Sequence, residues 1–449
     1  MQSLTILLIL SFVRKHTRKA GSFLLLTIFY CAPSIANQEV ITFAVNPSSA
    51  KQQEVYHLLA QRFEAQHPQI KVRVSSQSLE SHKVRILNYL KSEGLEIDVL
   101  LAYGGTQLHS LIDSKKITSL ASLWLEHNLD ARFSAPIKEL VSKESVPYAI
   151  PMAYYQWGFY YRKSLFNRLG LTVPDDWPTF IALVNTLDEK HIAPLNFSGG
   201  SSWSTLGWFD YLSLRLLGRE KYLALVRGEL SFTTPEVRDV FVHWQQLIEH
   251  KAFDSAHAEM TWSEILPFFY RERIAMMLNG NFFLAHVPDT IRNDVGFFPF
   301  PTIDPELPRY ESAPTDVAVL TTTGASKPAA RKFMVFLATL EAQTMLADYV
   351  GKIATHLEYD AEPRFLLDIG KTHLQNADGL VQYFDREASD AFSNGAAALF
   401  VAFIKQELSV DLLIAKLEAM RTQRHIKKAP DSVVPSGAFD SMNNAKGSN

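Results

Sequence analysis

The sequence is poor in the residues that most catalytic and metal chemistry needs. It holds one cysteine in 449 residues, Cys31, and that cysteine sits inside an amino-terminal stretch with the pattern of an export signal. Without that stretch the chain has no thiol, which excludes disulfides, thiol nucleophiles and cysteine-based metal sites. His250 and His257 are too far apart for a helical zinc pair, and no His/carboxylate cluster is apparent, so neither a metal nor a cofactor is expected. No Walker loop or dinucleotide fingerprint occurs. Ser48-Ser49-Ala50-Lys51 has S-x-x-K spacing but lacks the SDN and KTG partners that give that motif its chemistry. Long apolar runs are missing as well: Gly21 to Cys31 is too short to span a bilayer comfortably, while the extra apolar stretch Leu4 to Val13 leaves open a start further in or a segment kept as an anchor.

Residues 1–36 read as a signal peptide. Arg14, Lys15, Arg18 and Lys19 form a basic block, an apolar run follows, and the small residues Ser34 and Ala36 suit cleavage after Ala36. Tyr30 is bulky where a lipoprotein signal wants a small residue, so Cys31 is not read as a lipid anchor. Cleavage removes four cations and no acids and shifts the formal charge from −3 to −7. A mildly acidic exported chain is a poor nucleic-acid binder.

What the sequence does have is aromatic side chains with polar tips. Between Tyr148 and Tyr161 stand Tyr148, Tyr154, Tyr155, Trp157, Phe159, Tyr160 and Tyr161, bracketed upstream by Pro147 and Pro151. Tyr and Trp offer a flat apolar face and a hydrogen-bonding edge, which suits a half-wet groove for an amphipathic ligand. The bland alternative is a sheet core with tyrosine hydroxyls at the surface, and it fits Tyr160 and Tyr161 best.

Along the chain, hydrophobic periodicity predicts strands and helices in alternation. Val40 to Val45, Ile70 to Val74 and Ile97 to Ala102 read as strands, with helices over Lys51 to Gln66 and Leu79 to Lys91 between them, which makes a βαβαβ unit. Ligands bind such sheets beyond the carboxyl ends of the strands, where Asn46-Pro47-Ser48-Ser49 and Tyr103-Gly104-Gly105-Thr106 form loops. Further on, Asp175-Asp176 caps a helix over Trp177 to Glu189, and Ser198 to Trp208 reads as a polar loop carrying two Trp. Ile274 to Leu278 reads as a buried strand ending in Asn279-Gly280-Asn281-Phe282-Phe283.

The order of these pieces resembles the family 1 extracellular solute-binding proteins, the sugar-capturing components of bacterial ABC importers. Three stretches carry the resemblance: PYAIPMAYYQWGFYYRKSLFNRLGLTVPDDWPTF, then GREKYLALVRGELSFTTPEVRDVFVHWQQLIE with MTWSEILPFFYRERIAMMLNGNFF, then SKPAARKFMVFLATLEAQTMLADYVGKIAT. This chain departs from the family in having Asn281-Phe282 where Trp after Gly-Ser is usual, and Ala354 where Pro is common.

The resemblance implies an α/β, bilobal periplasmic-binding-protein fold, two α/β lobes joined by a multi-strand hinge with the ligand cleft between them. It places residues 37–149 and 300–345 in the first lobe, 150–299 and 346–426 in the second, and a flexible tail at 427–449. Crossings are expected near Pro147 to Met152, Val295 to Pro301 and Tyr349 to Ile353. The implied activity is reversible capture of a mono- or oligosaccharide in the periplasm by a monomer, with delivery to a membrane permease and no catalysis. Trp157, Trp203 and Phe282 are expected to stack on the sugar, and Asn46, Asn281 and Asp316 to meet its hydroxyls. Tyr103, Tyr154, Tyr155 and Gly280 complete the expected lining. The alternatives are a secreted carbohydrate-active enzyme, which needs paired carboxylates, and a receptor for a polyol or a peptide.

Overall fold

Glu39–Val45 pairs in parallel with Ile70–Ser76 on one side and Val99–Tyr103 on the other, the arrangement that a βαβαβ unit imposes. The computed structural model describes residues 38–47, 50–76, 96–195, 197–254, 257–360 and 366–428. The expected export segment, the helix over Leu79 to Lys91, Ser48-Ser49 and the end of the chain beyond Lys428 lie outside the described residues. Where the tail was expected from residue 427, the helix Val410–Lys428 runs to its last described residue.

Two sheets organise the chain in a bilobal α/β fold. The larger has six strands in the spatial order Ile353–Ala354, Ala149–Tyr154, Thr315–Leu320, Val99–Tyr103, Glu39–Val45, Ile70–Ser76. Thr315–Leu320 runs antiparallel to both of its neighbours, so its amino end lies at the same edge as the carboxyl ends of the parallel strands. The smaller sheet has four strands in the order Val295–Phe298, Trp157–Arg162, Ile274–Gly280, Ala193–Leu195. The larger sheet buries Phe43 against Tyr56 of the helix Ala50–Gln66 and Phe333 of the helix Pro328–Leu337, with Leu100 and Val317 in the same core. The smaller sheet turns Phe159 and Met276 toward Trp203–Arg227 and Pro235–Glu249 in a second core, while its other face, with Tyr160 and Met277, joins the first. This split follows from the two-residue alternation of a strand.

Local signals hold where a single side chain decides the geometry. Asp176 Oδ1 accepts from Thr179 N at 2.9 Å and starts Trp177–Glu189, an N-cap worth about 1 kcal/mol. Thr261 and Glu264 form a capping box at the head of Trp262–Tyr270. Three expectations change. Ser198 to Trp208 is not one loop: a single 3-10 turn at Gly199–Ser201 leads straight into the helix Trp203–Arg227, which buries Trp208. The change of sheet expected near Pro147 to Met152 falls later, between Tyr154 and Trp157, because Ala149–Tyr154 is held on both edges by the larger sheet. Likewise Val295–Phe298 is a full strand of the smaller sheet, and the chain returns to the larger one only at Thr315.

Candidate ligand cavity

One edge of the larger sheet gathers polar side chains from five separate stretches. Asn46 follows Glu39–Val45, Tyr103 ends its strand, Tyr155 follows Ala149–Tyr154, Asp316 is second in Thr315–Leu320, and Lys352 precedes Ile353–Ala354. Register does the gathering: Asp316 pairs with Tyr103 on one side and Ala153 on the other. These residues line a cavity of about 290 Å³ together with Gln52, Tyr56, Trp157, Trp203, Phe282, Tyr383, Asp385 and Arg386. It lies beyond the carboxyl ends of the parallel strands, where this sheet topology places ligands.

The polar wall is a chain of contacts. Asn46 Nδ2 donates to Tyr103 Oη at 3.0 Å. The Arg386 guanidinium lies over the Tyr103 ring, 3.9 Å from its centroid. From there Nη2 donates to Tyr155 Oη at 3.2 Å and Nη1 reaches Asp316 Oδ1 at 3.4 Å. Lys352 Nζ donates to Asp316 Oδ2, so each oxygen of that carboxylate faces a cation. Burial pushes the Tyr155 phenol up to about 12, against the pull of Arg386, and pushes Tyr103 up further. Both hydroxyls therefore stay protonated at neutral pH and can donate as well as accept.

The facing wall is aromatic. Trp157 and Tyr383 stack at 4.6 Å between centroids with 15° between planes, and Phe282 and Trp203 meet Trp157 edge-on at 5.9 and 6.3 Å. Tyr383 Oη donates to the Trp203 backbone carbonyl at 2.7 Å, which holds the Tyr383 ring in place. Gly280 stands opposite Trp157 in the sheet, and a Cβ there would lie 2.4 Å from the Phe282 ring, so glycine lets Phe282 pack down beside Trp157. Trp157 is 2 % exposed, while Trp203 and Phe282 are half-buried.

Of the residues expected from sequence, the structure brings Asn46, Tyr103, Tyr155, Trp157, Trp203, Phe282 and Asp316 to this one cavity. Gly280 supports it from behind. Asn281 is buried next to it but spends its Nδ2 on Gly351 O at 2.9 Å. Tyr154 departs from expectation: it is buried in the core of the larger sheet, because successive residues of a strand face opposite ways and Tyr155 takes the cavity side. Asp210, an acid on the helix that Trp203 begins, lies outside the cavity. It is fully buried and accepts from Tyr222 Oη at 2.8 Å and Phe384 N at 3.0 Å, and burial pushes its carboxyl well up. Its work is to hold the segment that presents Tyr383 and Arg386.

Gln52, Tyr56, Lys352, Tyr383, Asp385 and Arg386 were not anticipated. Their one local signal is Tyr383-Phe384-Asp385-Arg386, two aromatics and two charges in succession one residue beyond the strand Gly379–Val381. Among the described residues no three His, Cys, Asp or Glu side chains gather as a metal ion would need, and no helix is long and apolar enough to cross a membrane.

Comparison with known proteins matches residues 46–344 to the pattern of the bacterial extracellular solute-binding proteins. An uncharacterized ABC transporter extracellular-binding protein of Pyrococcus horikoshii is 24% identical over 324 residues, 70% of either chain. The multiple sugar-binding protein of Streptococcus mutans is 24% identical over 160 residues, 34% of this chain and 38% of that one. Among solved structures, the bacterial solute receptor AcbH, described as having an exclusive preference for β-D-galactopyranose, superposes with a TM-score of 0.79 at 24% identity. The match covers 87% of this chain and 98% of AcbH. At that identity the superposition speaks for the fold.

Proposed function

The chain belongs to the bacterial extracellular solute-binding proteins, a family of exported ABC-transporter binding components rather than enzymes, and on that premise we propose that its cavity captures a carbohydrate. The observation that carries the reading is the pairing of two unlike walls: aromatic rings on one side, a hydrogen-bonding row of Asn46, Tyr103, Asp316 and Arg386 on the other. A pyranose is built the same way, with an apolar C–H face and a rim of hydroxyls. Trp203 and Phe282, the half-buried rings, stack on the face, while Trp157 and Tyr383 back them. Asp316 accepts from hydroxyls and Arg386 donates to them, both already oriented by their mutual contact. The sugar-binding relatives point the same way.

Capture proceeds by closure of the two lobes, one around each sheet, about connections that include Tyr155-Gln156 and Phe300 to Pro314. Excluding water strengthens each hydrogen bond inside and makes an unmatched hydroxyl costly. The export segment is cleaved after Ala36, and the protein works as a periplasmic monomer that hands its ligand to a permease. A ligand that binds only the folded state raises the melting temperature. A thermal-shift screen over mono- and oligosaccharides, polyols and peptides should therefore give its largest rise with a sugar. A rise with peptides or polyols alone would overturn the carbohydrate assignment.

A further inference from the structure

A second hollow of about 670 Å³ lies beside the ligand cavity, lined in part by Gly105, Arg227 and Glu387. The two spaces share no lining residue, yet the same two segments border both. Tyr103 faces the cavity and Gly105 the hollow, while Asp385 and Arg386 face the cavity and Glu387 the hollow. The partition between them is closed by a tight junction. Thr106 N donates to Glu387 Oε2 at 3.2 Å and Thr106 Oγ1 donates to the same oxygen. Gln382 N donates to Glu387 Oε1 at 3.3 Å. On the cavity side the Arg386 guanidinium presses on the Tyr103 ring. The carboxylate fits only because residue 105 is glycine at φ +67°: a Cβ there would stand 2.6 Å from Glu387 Oε1. Glu387 is 3 % exposed, so the junction is a packed wall and not a surface contact.

We propose that this junction is the end wall of the ligand cavity and limits the productively bound sugar to one or two rings. The inference rests on the carbohydrate reading above and adds the ligand's length to it. A cavity of about 290 Å³ is at the lower limit of small-molecule pockets, about 300 to 1,000 Å³, whereas the cavity and hollow joined would make a groove fit for a chain. With the wall in place, further rings project toward solvent and gain little.

The test is calorimetric titration of the mature protein with two series of one to four rings: D-galactose, melibiose, raffinose and stachyose, and D-glucose, maltose, maltotriose and maltotetraose. Expected is an affinity that peaks at one or two rings and changes less than about twofold with each further ring. A tenfold or greater gain from disaccharide to tetrasaccharide in either series would overturn the length limit alone. Binding of no sugar at all would overturn the carbohydrate reading and the limit with it. In Thr106→Ala/Glu387→Gln, if folded, the ratio of tetrasaccharide to disaccharide affinity should rise at least fivefold, and an unchanged ratio would show that the junction is not the wall. If that variant does not fold, the wild-type series decides.

Discussion

The two walls of the cavity are built on different physics. The aromatic wall is assembled from rings that pack on one another: Trp157 on Tyr383, Phe282 and Trp203, with Gly280 leaving room. Its cohesion is dispersion and buried area, and it stands whether or not a ligand is present. The polar wall is a balance of charge, Lys352 and Arg386 on either side of Asp316, with two tyrosines insulating the guanidinium. Ligand hydroxyls can join that network without any member becoming unpaired. One wall supplies area, the other supplies direction, and each fails in its own way.

The largest effect is expected on the polar wall. Asp316→Ala leaves Lys352 and Arg386, both nearly buried, facing each other without an anion, and should cost about 3–5 kcal/mol of stability as well as abolishing binding. Urea titration checks it, and a loss under about 1 kcal/mol would mean the triad is effectively solvated. On the aromatic wall the comparison sharpens into support against contact. Trp157→Ala should cost about 3–5 kcal/mol of stability, because a buried ring is lost from a packed cluster. Trp203→Ala should leave folding nearly intact but weaken sugar binding by about 1–3 kcal/mol, the scale of one large contact. Equal effects of the two on stability would erase the distinction. Tyr155→Phe removes the hydroxyl that Arg386 donates to and should weaken binding by about 1 kcal/mol, whereas Tyr154→Phe, one residue away in the core, should leave affinity unchanged.

A further effect is alkaline. The unfolded phenol ionises near pH 10, while Tyr155 in the folded protein resists to about 12. Its folded-state value is raised, so the stability it contributes is fully present below about pH 10 and is lost as pH rises toward 12. Urea midpoints across that range should fall more gently in Tyr155→Phe than in the wild type. An identical fall would place Tyr155 outside the buried network.

The aromatic wall, Tyr383 apart, was legible in the sequence because Trp157, Trp203 and Phe282 announce themselves. Crowded Tyr and Trp are unusual, and a strand ending in Gly and Phe is a visible punctuation. The first sheet was legible for a similar reason, since apolar runs and helical stripes are local patterns. The polar wall was only half legible. Asn46 and Asp316 stand out as polar residues at strand ends, but Arg386 and Lys352 are brought to Asp316 from 70 and 36 residues away by pairing that no local pattern records. Tyr154 and Tyr155 show the same limit at the scale of one residue. Sequence places both in the cluster, and only the pleat, fixed by the pairing of Ala149–Tyr154 with Thr315–Leu320, decides which one faces the cavity.

The structure of the protein with the sugar that most raises its melting temperature tests the central claim most directly. The account predicts a ring lying flat against Trp203 or Phe282 with its hydroxyls on Asp316 and Arg386. A sugar bound outside this cavity, or one inside it that touches neither wall in that way, would contradict it.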